Sequence, residues 1–251
     1  MITMSDPTTH FGFQEVPTPE KVRRVARVFD SVAARYDLMN DLMSLGIHRL
    51  WKQHAISRLR LRPGDHVLDL AGGTGDLARI IQDRSQRQVR VTLCDINHAM
   101  LTTGRARLTD KGYLAGIDWV QGNAEALPFP DNRFQAVTIG FGIRNVTDVP
   151  RALREMTRVL RPGGQVMVLE FSQIAIPFLR PLYDLYSFHL LPRIGQLVTQ
   201  DRDAYQYLVE SIRRFPDQRA FQAMMEEAGL YRVRYHNLSA GIVAVHLGYK
   251  V

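Results

Sequence analysis

The residues that could do chemistry begin at VLDLAGGTGDLA, residues 67–78, where a short apolar run meets a glycine turn and then a helix-like pattern. Glycines such as Gly72, Gly73 and Gly75 let the backbone turn tightly and let a ligand approach it closely. Gly73-Thr74-Gly75-Asp76-Leu77-Ala78 fits the dinucleotide pattern G-x-G-x-x-[GA]. A plain strand-to-helix turn would also be written with these letters. Three further features favour S-adenosylmethionine over a dinucleotide. Asp69 precedes the glycines, where a carboxylate can organise the loop and answer a positive methionine end; a pyrophosphate would be repelled there. Asp95 closes the next apolar run, LCDIN, and can accept from both hydroxyls of a ribose, a need the two cofactors share. Asn123 and the backbone of Ala124, in GNAEALPFPDNRF, are placed to read an adenine edge.

A second candidate is IGFGIRNVTD, residues 139–148. An apolar strand ends there and the chain turns abruptly polar at Arg144 and Asn145. A fixed cation at the mouth of a sheet can stabilise a developing anion. It can equally pair with a carboxylate such as Asp148 and hold the loop.

These residues need elements to position them. From residue 63 the chain alternates short apolar strands with amphipathic helices: HVLDLA, GDLARIIQDRS, RVTLCD, NHAMLTTGRARLTDKG, IDWVQGN, AVTIGFG, VPRALREMTRVL and QVMVLEFS. This rhythm predicts an α/β fold with a parallel, doubly wound sheet. Val149, Leu153, Met156 and Leu160 form one helical stripe, which Pro162-Gly163-Gly164 is expected to end. PDQRAFQAMMEEAGL reads as a helix, and YRVRYHNLSAGIVAVHLGYKV as two strands joined through Ser239-Ala240-Gly241. Upstream, residues 1–19 read as an irregular lead. Val22, Val25, Phe29, Val32 and Tyr36 recur at helical spacing, and a second helix is expected over about 47–59. Residues 173–215 break the rhythm with aromatic, apolar and proline-interrupted sequence, as in an inserted helical cap. The expected organisation is therefore lead and lid helices over 1–62, a cofactor-binding core over 63–172, a cap over 173–215, and a helix with a strand pair completing the sheet over 216–251.

The chain has 251 residues, 45% of them hydrophobic and 23% charged, as in ordinary globular proteins. Its single cysteine, Cys94, excludes an internal disulfide framework. The histidines are scattered, so no metal site is expected. No secretory leader or membrane-length apolar run is visible, and a cytoplasmic location is expected. The formal net charge is +7, with Lys21, Arg23, Arg24 and Arg27 among an early basic excess. Such a face suits an anionic membrane or nucleic acid, or is simply solvated.

Longer stretches carry a family resemblance. YDLMNDLMSLGIHRLW (36–51) and RVLRPGGQVMVLEFS (158–172) resemble the two signatures of the ubiquinone/menaquinone biosynthesis C-methyltransferases, the UbiE family within the class I methyltransferases. LAGGTGD, NAEALPFPDN, FGIRNVTD and YSFHLLPRIG are similar to that family too. The resemblance implies a Rossmann-like, mostly parallel seven-stranded sheet with an antiparallel C-terminal strand. It implies cofactor contacts at Thr74, Asp95, Asn123 and Ala124, beside the glycines. At Gly140 relatives often carry serine, so only a backbone contact is expected. Ala71 stands where the commonest class I loop has glycine, and φ < 0 is expected there because alanine resists the left-handed region.

The implied reaction moves the methyl of S-adenosylmethionine to a ring carbon of a prenylated quinol, leaving S-adenosylhomocysteine. The ring is made electron-rich by ionising a phenol, whose ordinary pKa is ~10. A cation ~4 Å away is worth about 4 kcal/mol at an effective dielectric near 20, enough to make the phenolate accessible. The resemblance places Arg144 near the transferable methyl, as a phenolate stabiliser with Asn145 orienting a hydroxyl or a water. Tyr36 and Asn40 fall in the first signature as substrate contacts, though Tyr36 also continues a core stripe. His189, in the expected cap, can take a proton or simply hold the cap by a hydrogen bond. The cap's apolar side chains would suit a prenyl tail or an ordinary small core. The expected partners are the prenylated quinol, an anionic inner membrane face, and other quinone-biosynthesis enzymes. A homo-oligomer is compatible with the chain, and no nucleic-acid partner is expected. The competing readings are a nucleic-acid methyltransferase and a non-catalytic cofactor-binding scaffold.

Overall fold

The computed structural model describes residues 8–32, 40–41, 44, 46–174 and 202–251. Apolar alternation builds the sheet. In β3 (His66–Leu70), Val67 joins the core on one face while Leu68 and Leu70 join the core on the other. A strand buried on both sides belongs at the centre of a parallel sheet. The same logic places β4 (Arg90–Asp95), β5 (Ile117–Gln121), β6 (Phe134–Gly140) and β7 (Leu160–Phe171), with β8 (Tyr231–Leu238) and β9 (Val243–Tyr249) behind them. The order is β5-β4-β3-β6-β7-β9-β8, and β9 runs antiparallel to both its neighbours.

Helices cover both faces. On one lie α2 (His48–Ser57) and α3 (Asp76–Arg84), with Trp51, Ile56, Leu77 and Ile81 in the shared core. On the other lie α5 (Val149–Val159) and α7 (Gln218–Glu227), contributing Leu153, Met156, Phe221 and Met225. Between β4 and β5 runs α4 (His98–Asp110), and α6 (Arg202–Arg214) adds Leu208 and Ile212 to the first core. Asp148 caps α5 by accepting from Arg151 N at 3.0 Å. The chain then passes straight from Val159 into β7. Pro162-Gly163-Gly164 therefore lies in the irregular opening of a strand, where the register to β6 shifts, and does not separate helix from strand.

The expected irregular lead contains a hairpin. β1 (Thr8–Phe11) pairs antiparallel with β2 (Gln14–Pro17), and α1 (Thr18–Val32) follows directly. Four-residue strands of mixed polarity carry too short a period to read. Phe13 N donates to Glu210 Oε2 at 3.0 Å, and Phe11 stacks on Tyr207 at 4.2 Å, so the hairpin is fastened to α6.

The central strand β3 is flanked by β4 and β6, and its crossovers leave in opposite directions. In such sheets the crevice opens at the carboxyl ends of the strands beside this switch point.

Candidate active site

A cleft lies at that crevice. Its floor is the ends of β3, β4 and β6, with Leu70, Ala71, Gly73, Asp95, Phe141 and Gly142 among the lining residues. One wall is Ile96, Asn97 and Met100, the next Gly122 to Glu125, and the last Asn145 to Thr147. The roof is the apolar face of α1: Val22, Val25, Ala26 and Phe29.

The glycine loop is held from below. Asp69 is fully buried; Thr138 Oγ1 donates to its Oδ1 at 2.9 Å and Ala78 N to its Oδ2 at 3.2 Å. It thus ties β3 to the first turn of α3 and does not line the cleft. Burial pushes its carboxyl up to about 7, against the pull of those two hydrogen bonds. Gly75 takes φ +85° at the N-cap of α3, a left-handed conformation that a side chain would strain. Behind the loop, Asp76 is clasped by Lys52 and Arg107, each at 2.7 Å, which hold its carboxyl well below the usual range. Arg107 also donates to the Thr74 carbonyl at 2.8 Å.

Ala71 departs from expectation. Its φ is +48°, so the alanine occupies the left-handed region despite the cost of its Cβ. Phe141, at the matching end of β6, has φ +59°. Two non-glycine residues in this region, side by side on the cleft floor, mark backbone held by its surroundings. Phe141 N donates to Leu169 O at 2.7 Å, and Ala71 packs beside Gly142, where an added Cβ would lie 2.6 Å from that of Ala71.

Asp95 lines the cleft and is mostly buried. Its Oδ2 accepts from Gly73 N at 2.9 Å and its Oδ1 from Asn97 N at 2.8 Å. Burial raises its pKa, opposed by the N–H bonds from Asn97, Gly73 and Ile96. The carboxylate keeps lone-pair capacity towards the cleft, where it can accept from a ribose hydroxyl. Asn123 and Ala124 line the adjoining wall, and Asn123 Oδ1 accepts from Glu125 N at 3.0 Å. Ile96 and Met100 supply apolar faces beside Asp95. Buried carboxylate, amide-bearing turn and flanking apolar side chains match a nucleoside: the residues present fit S-adenosylmethionine. Gly72, Thr74, Gly75 and Gly140 stand behind the lining. A Cβ on Gly140 would come within 2.8 Å of Leu77 Cδ1, so a serine there requires Leu77 to move.

The turn after β6 is a short 3₁₀ helix, Ile143–Asn145. Of the two readings open for Arg144, the structure shows the pairing with a carboxylate. Its Nη1 meets Glu170 Oε1 at 2.7 Å and donates to Phe141 O at 2.6 Å. Glu170 also accepts from Arg144 N at 3.3 Å and from Phe171 N at 2.9 Å. The two side chains are only 6% and 2% exposed. The partner is thus Glu170 on the neighbouring strand; Asp148 is occupied in capping α5. Asn145 does line the cleft. Its Oδ1 accepts from Tyr207 Oη at 2.9 Å, while its Nδ2 is buried with no partner among the described residues.

Several lining residues had no sequence signal of their own. Glu125 Oε1 accepts from Thr147 N at 3.0 Å and Asp148 N at 3.1 Å, tying two walls together. The roof is fastened at both ends: Lys21 Nζ donates to Val146 O at 3.0 Å, and Asn97 Nδ2 to Asp30 Oδ1 at 2.8 Å. Lys21 is therefore a buried tether and not part of a basic surface. Val22, Val25 and Phe29 were legible as an apolar stripe, but not as a roof. Asn40 is buried away from the cleft lining; its carbonyl accepts from Ser44 Oγ at 2.7 Å. Tyr36 and His189 lie outside the described residues, as do the apolar residues of the expected cap between 175 and 201. Among the described residues no group of side chains could hold a metal, and no helix is long and apolar enough to cross a membrane.

This sheet order, with an adenosine-fitting cleft at its switch point, defines a class I S-adenosylmethionine-dependent methyltransferase. A Thermotoga maritima S-adenosylmethionine-dependent methyltransferase shares the fold, with a TM-score of 0.63 over 90% of this chain and 100% of that one at 18% identity. The [4+2]-cyclase SpnF shares it as well, with a TM-score of 0.59 over 80% of this chain and 81% of that one at 15% identity, so the fold alone does not set the chemistry. The model of the ubiE/COQ5 methyltransferase family matches residues 18–250, and the chain belongs to that family. It is 57% identical to the ubiquinone/menaquinone biosynthesis C-methyltransferase UbiE of Xanthomonas campestris pv. campestris, over 97% of this chain and 96% of that protein. It is 56% identical to UbiE of Francisella tularensis subsp. novicida, over 97% of each. The family resemblance read from the signatures is thus borne out, and so are the enzyme class and the seven-stranded fold.

Proposed function

We propose that this chain methylates a ring carbon of a polyprenylated quinol in respiratory quinone biosynthesis. The substrates that follow are demethylmenaquinol, 2-polyprenyl-6-methoxy-1,4-benzoquinol, or both. The carrying observation is the family match over residues 18–250, joined to a cleft whose roof is apolar and whose far wall ends in a buried amide donor.

S-adenosylmethionine supplies a methyl group already activated on a sulfonium. Asp95 would hold the ribose hydroxyls, and Asn123 and Ala124 the adenine edge. Ile96 and Met100 would flank the base. The face of α1 excludes water above the reacting atoms, which strengthens every polar contact beneath it. Asn145 Nδ2 would donate to the quinol oxygen adjacent to the acceptor carbon, stabilising negative charge as the ring becomes the nucleophile. Arg144 acts by position: paired with Glu170, it fixes the carbonyl of Phe141 and the turn that carries Asn145. The carboxylate largely cancels its field at the cleft, so we do not assign it the role of a lone phenolate stabiliser. Tyr36 and Asn40, from the first signature, and His189, from the family-like stretch YSFHLLPRIG, remain proposed substrate-side residues on the strength of the resemblance.

The enzyme would act at the cytoplasmic face of the membrane by peripheral contact. With Lys21 buried, the exposed cations of α1 that remain are Arg23 and Arg27. Two such charges give weak, salt-sensitive attraction to anionic lipid. Co-sedimentation with anionic vesicles should exceed that with neutral ones and fall with salt; equal binding to both would remove the electrostatic part.

Disruption of the gene tests the function. Demethylated quinone should accumulate, and the plasmid-borne chain should restore the methylated form. An unchanged quinone profile would overturn it.

A further inference from the structure

Asn145 has an amide with two ends, and among the described residues only one is satisfied. Whichever atom faces Tyr207 determines which atom is left unpaired at the cleft wall. Tyr207 Oη donates to Oδ1 at 2.9 Å, and its hydroxyl has no other acceptor among the described residues. Turning the amide over would put Nδ2 against the phenol oxygen. The tyrosine O–H would then lose its acceptor and Oδ1 would be orphaned, giving two unsatisfied buried groups in place of one. Tyr207 is only 5% exposed, so water cannot easily make up that loss.

Tyr207 is itself firmly placed. Its ring stacks on Phe11 with centroids 4.2 Å apart and planes 12° from parallel. One turn further along α6, Glu210 accepts from Phe13 N. The N-terminal hairpin thus braces α6, α6 carries the hydroxyl, and the hydroxyl orients the amide.

We propose that Tyr207 is a positioning residue for methyl transfer: it holds the Asn145 amide with Nδ2 as the unpaired atom, buried at the cleft wall, which donates to the acceptor oxygen once the substrate packs against Asn145. This deepens the proposed function and rests on Asn145 meeting the substrate. A hydroxyl that served only to stabilise the fold would give melting changes without a specific loss of turnover.

The test is a cycle of Tyr207→Phe, Asn145→Ala and the double variant in the full chain. For each, kcat and KM for a short-chain demethylmenaquinol are measured beside cofactor affinity and melting temperature. Tyr207→Phe keeps the ring and its stack and removes one oxygen. The expected result is a fall in kcat of about 3–10-fold, the size of one neutral hydrogen bond, with cofactor affinity and melting little changed. Asn145→Ala should lose more, and adding Tyr207→Phe to it should cost nothing further. Asn145→Asp keeps an acceptor for Tyr207 but no donor for the cleft, and should be as poor as Asn145→Ala. Normal turnover in Asn145→Ala would overturn the underlying role of Asn145. Impaired Asn145→Ala with normal Tyr207→Phe, or with fully additive losses, would overturn the role of Tyr207 alone. A Tyr207→Phe loss explained by melting or by cofactor affinity would overturn it too.

Discussion

The two sides of the cleft are built differently. The cofactor side rests mostly on short-range hydrogen bonds: Asn97 N reaches Asp95 two residues back and Ala78 N reaches Asp69 nine residues back, each through the loop after its own strand, and Gly73 N alone crosses 22 residues to Asp95. The acceptor side is assembled from distant parts. Arg144 meets Glu170, 26 residues on, and Asn145 meets Tyr207, 62 residues on. A side made of local hydrogen bonds leaves a pattern in sequence. A side made of long-range pairs leaves only the residue types.

The strongest test of this difference is the buried ion pair. Arg144→Ala or Glu170→Ala alone should destabilise the protein by about 3–5 kcal/mol, because each leaves a charge buried without its partner. A well-packed double replacement, Arg144→Met with Glu170→Leu, should cost much less. Denaturant unfolding measures all three. Were Arg144 an uncompensated phenolate stabiliser, Arg144→Ala would abolish turnover at unchanged stability, and the ion pair would have no structural role on the acceptor side.

On the cofactor side, Asp69 gives a pH signature. Its folded pKa is about 7 against an ordinary 3.8. Between those values the folded state holds a proton that the unfolded state has released, so this contribution declines as pH rises through the window. The full difference is roughly 4 kcal/mol. His246 runs the other way: burial lowers it to about 4, so its contribution is lost as pH falls below 6.5. Comparison with Asp69→Asn isolates the first effect. Relative to wild type, the variant should gain stability as pH rises from 4 to 7.5; parallel melting curves would refute the assignment.

Asp95→Ala leaves the backbone donors around it without their acceptor and removes the ribose contact. Cofactor affinity should weaken by about 100-fold, or ~3 kcal/mol, by calorimetry. A loss of less than threefold would move the ribose site elsewhere. The smallest effect is at the roof. Asp30→Ala cuts one tether of α1 and should speed cofactor release by about 3–5-fold, roughly 1 kcal/mol, with stability nearly unchanged. Unaltered release in stopped flow would show that α1 does not cover the bound cofactor.

Much of the core was legible because each strand is a compact apolar run bounded by turn residues. The cofactor loop was legible because glycines and carboxylates sit at fixed offsets from those strands. The hairpin of residues 8–17 was not, since four-residue strands such as TTHF and QEVP have neither period nor composition to distinguish them. Ala71 was misread because propensity forbids what the packing beside Gly142 enforces. Only the parallel pairing of β6 with β7 brings Glu170 to Arg144. Tyr207 had no sequence signal, since one tyrosine in an aromatic region looks like core.

The most direct test of the account is methyl transfer itself. Purified protein is incubated with S-adenosylmethionine carrying a labelled methyl and a reduced, short-chain demethylmenaquinol or methoxybenzoquinol, with RNA in a parallel reaction. Label is expected on a ring carbon of the extracted quinone, dependent on prior reduction and sharply diminished by Asn145→Ala. Label in RNA, on a quinol oxygen, or in neither acceptor would contradict it.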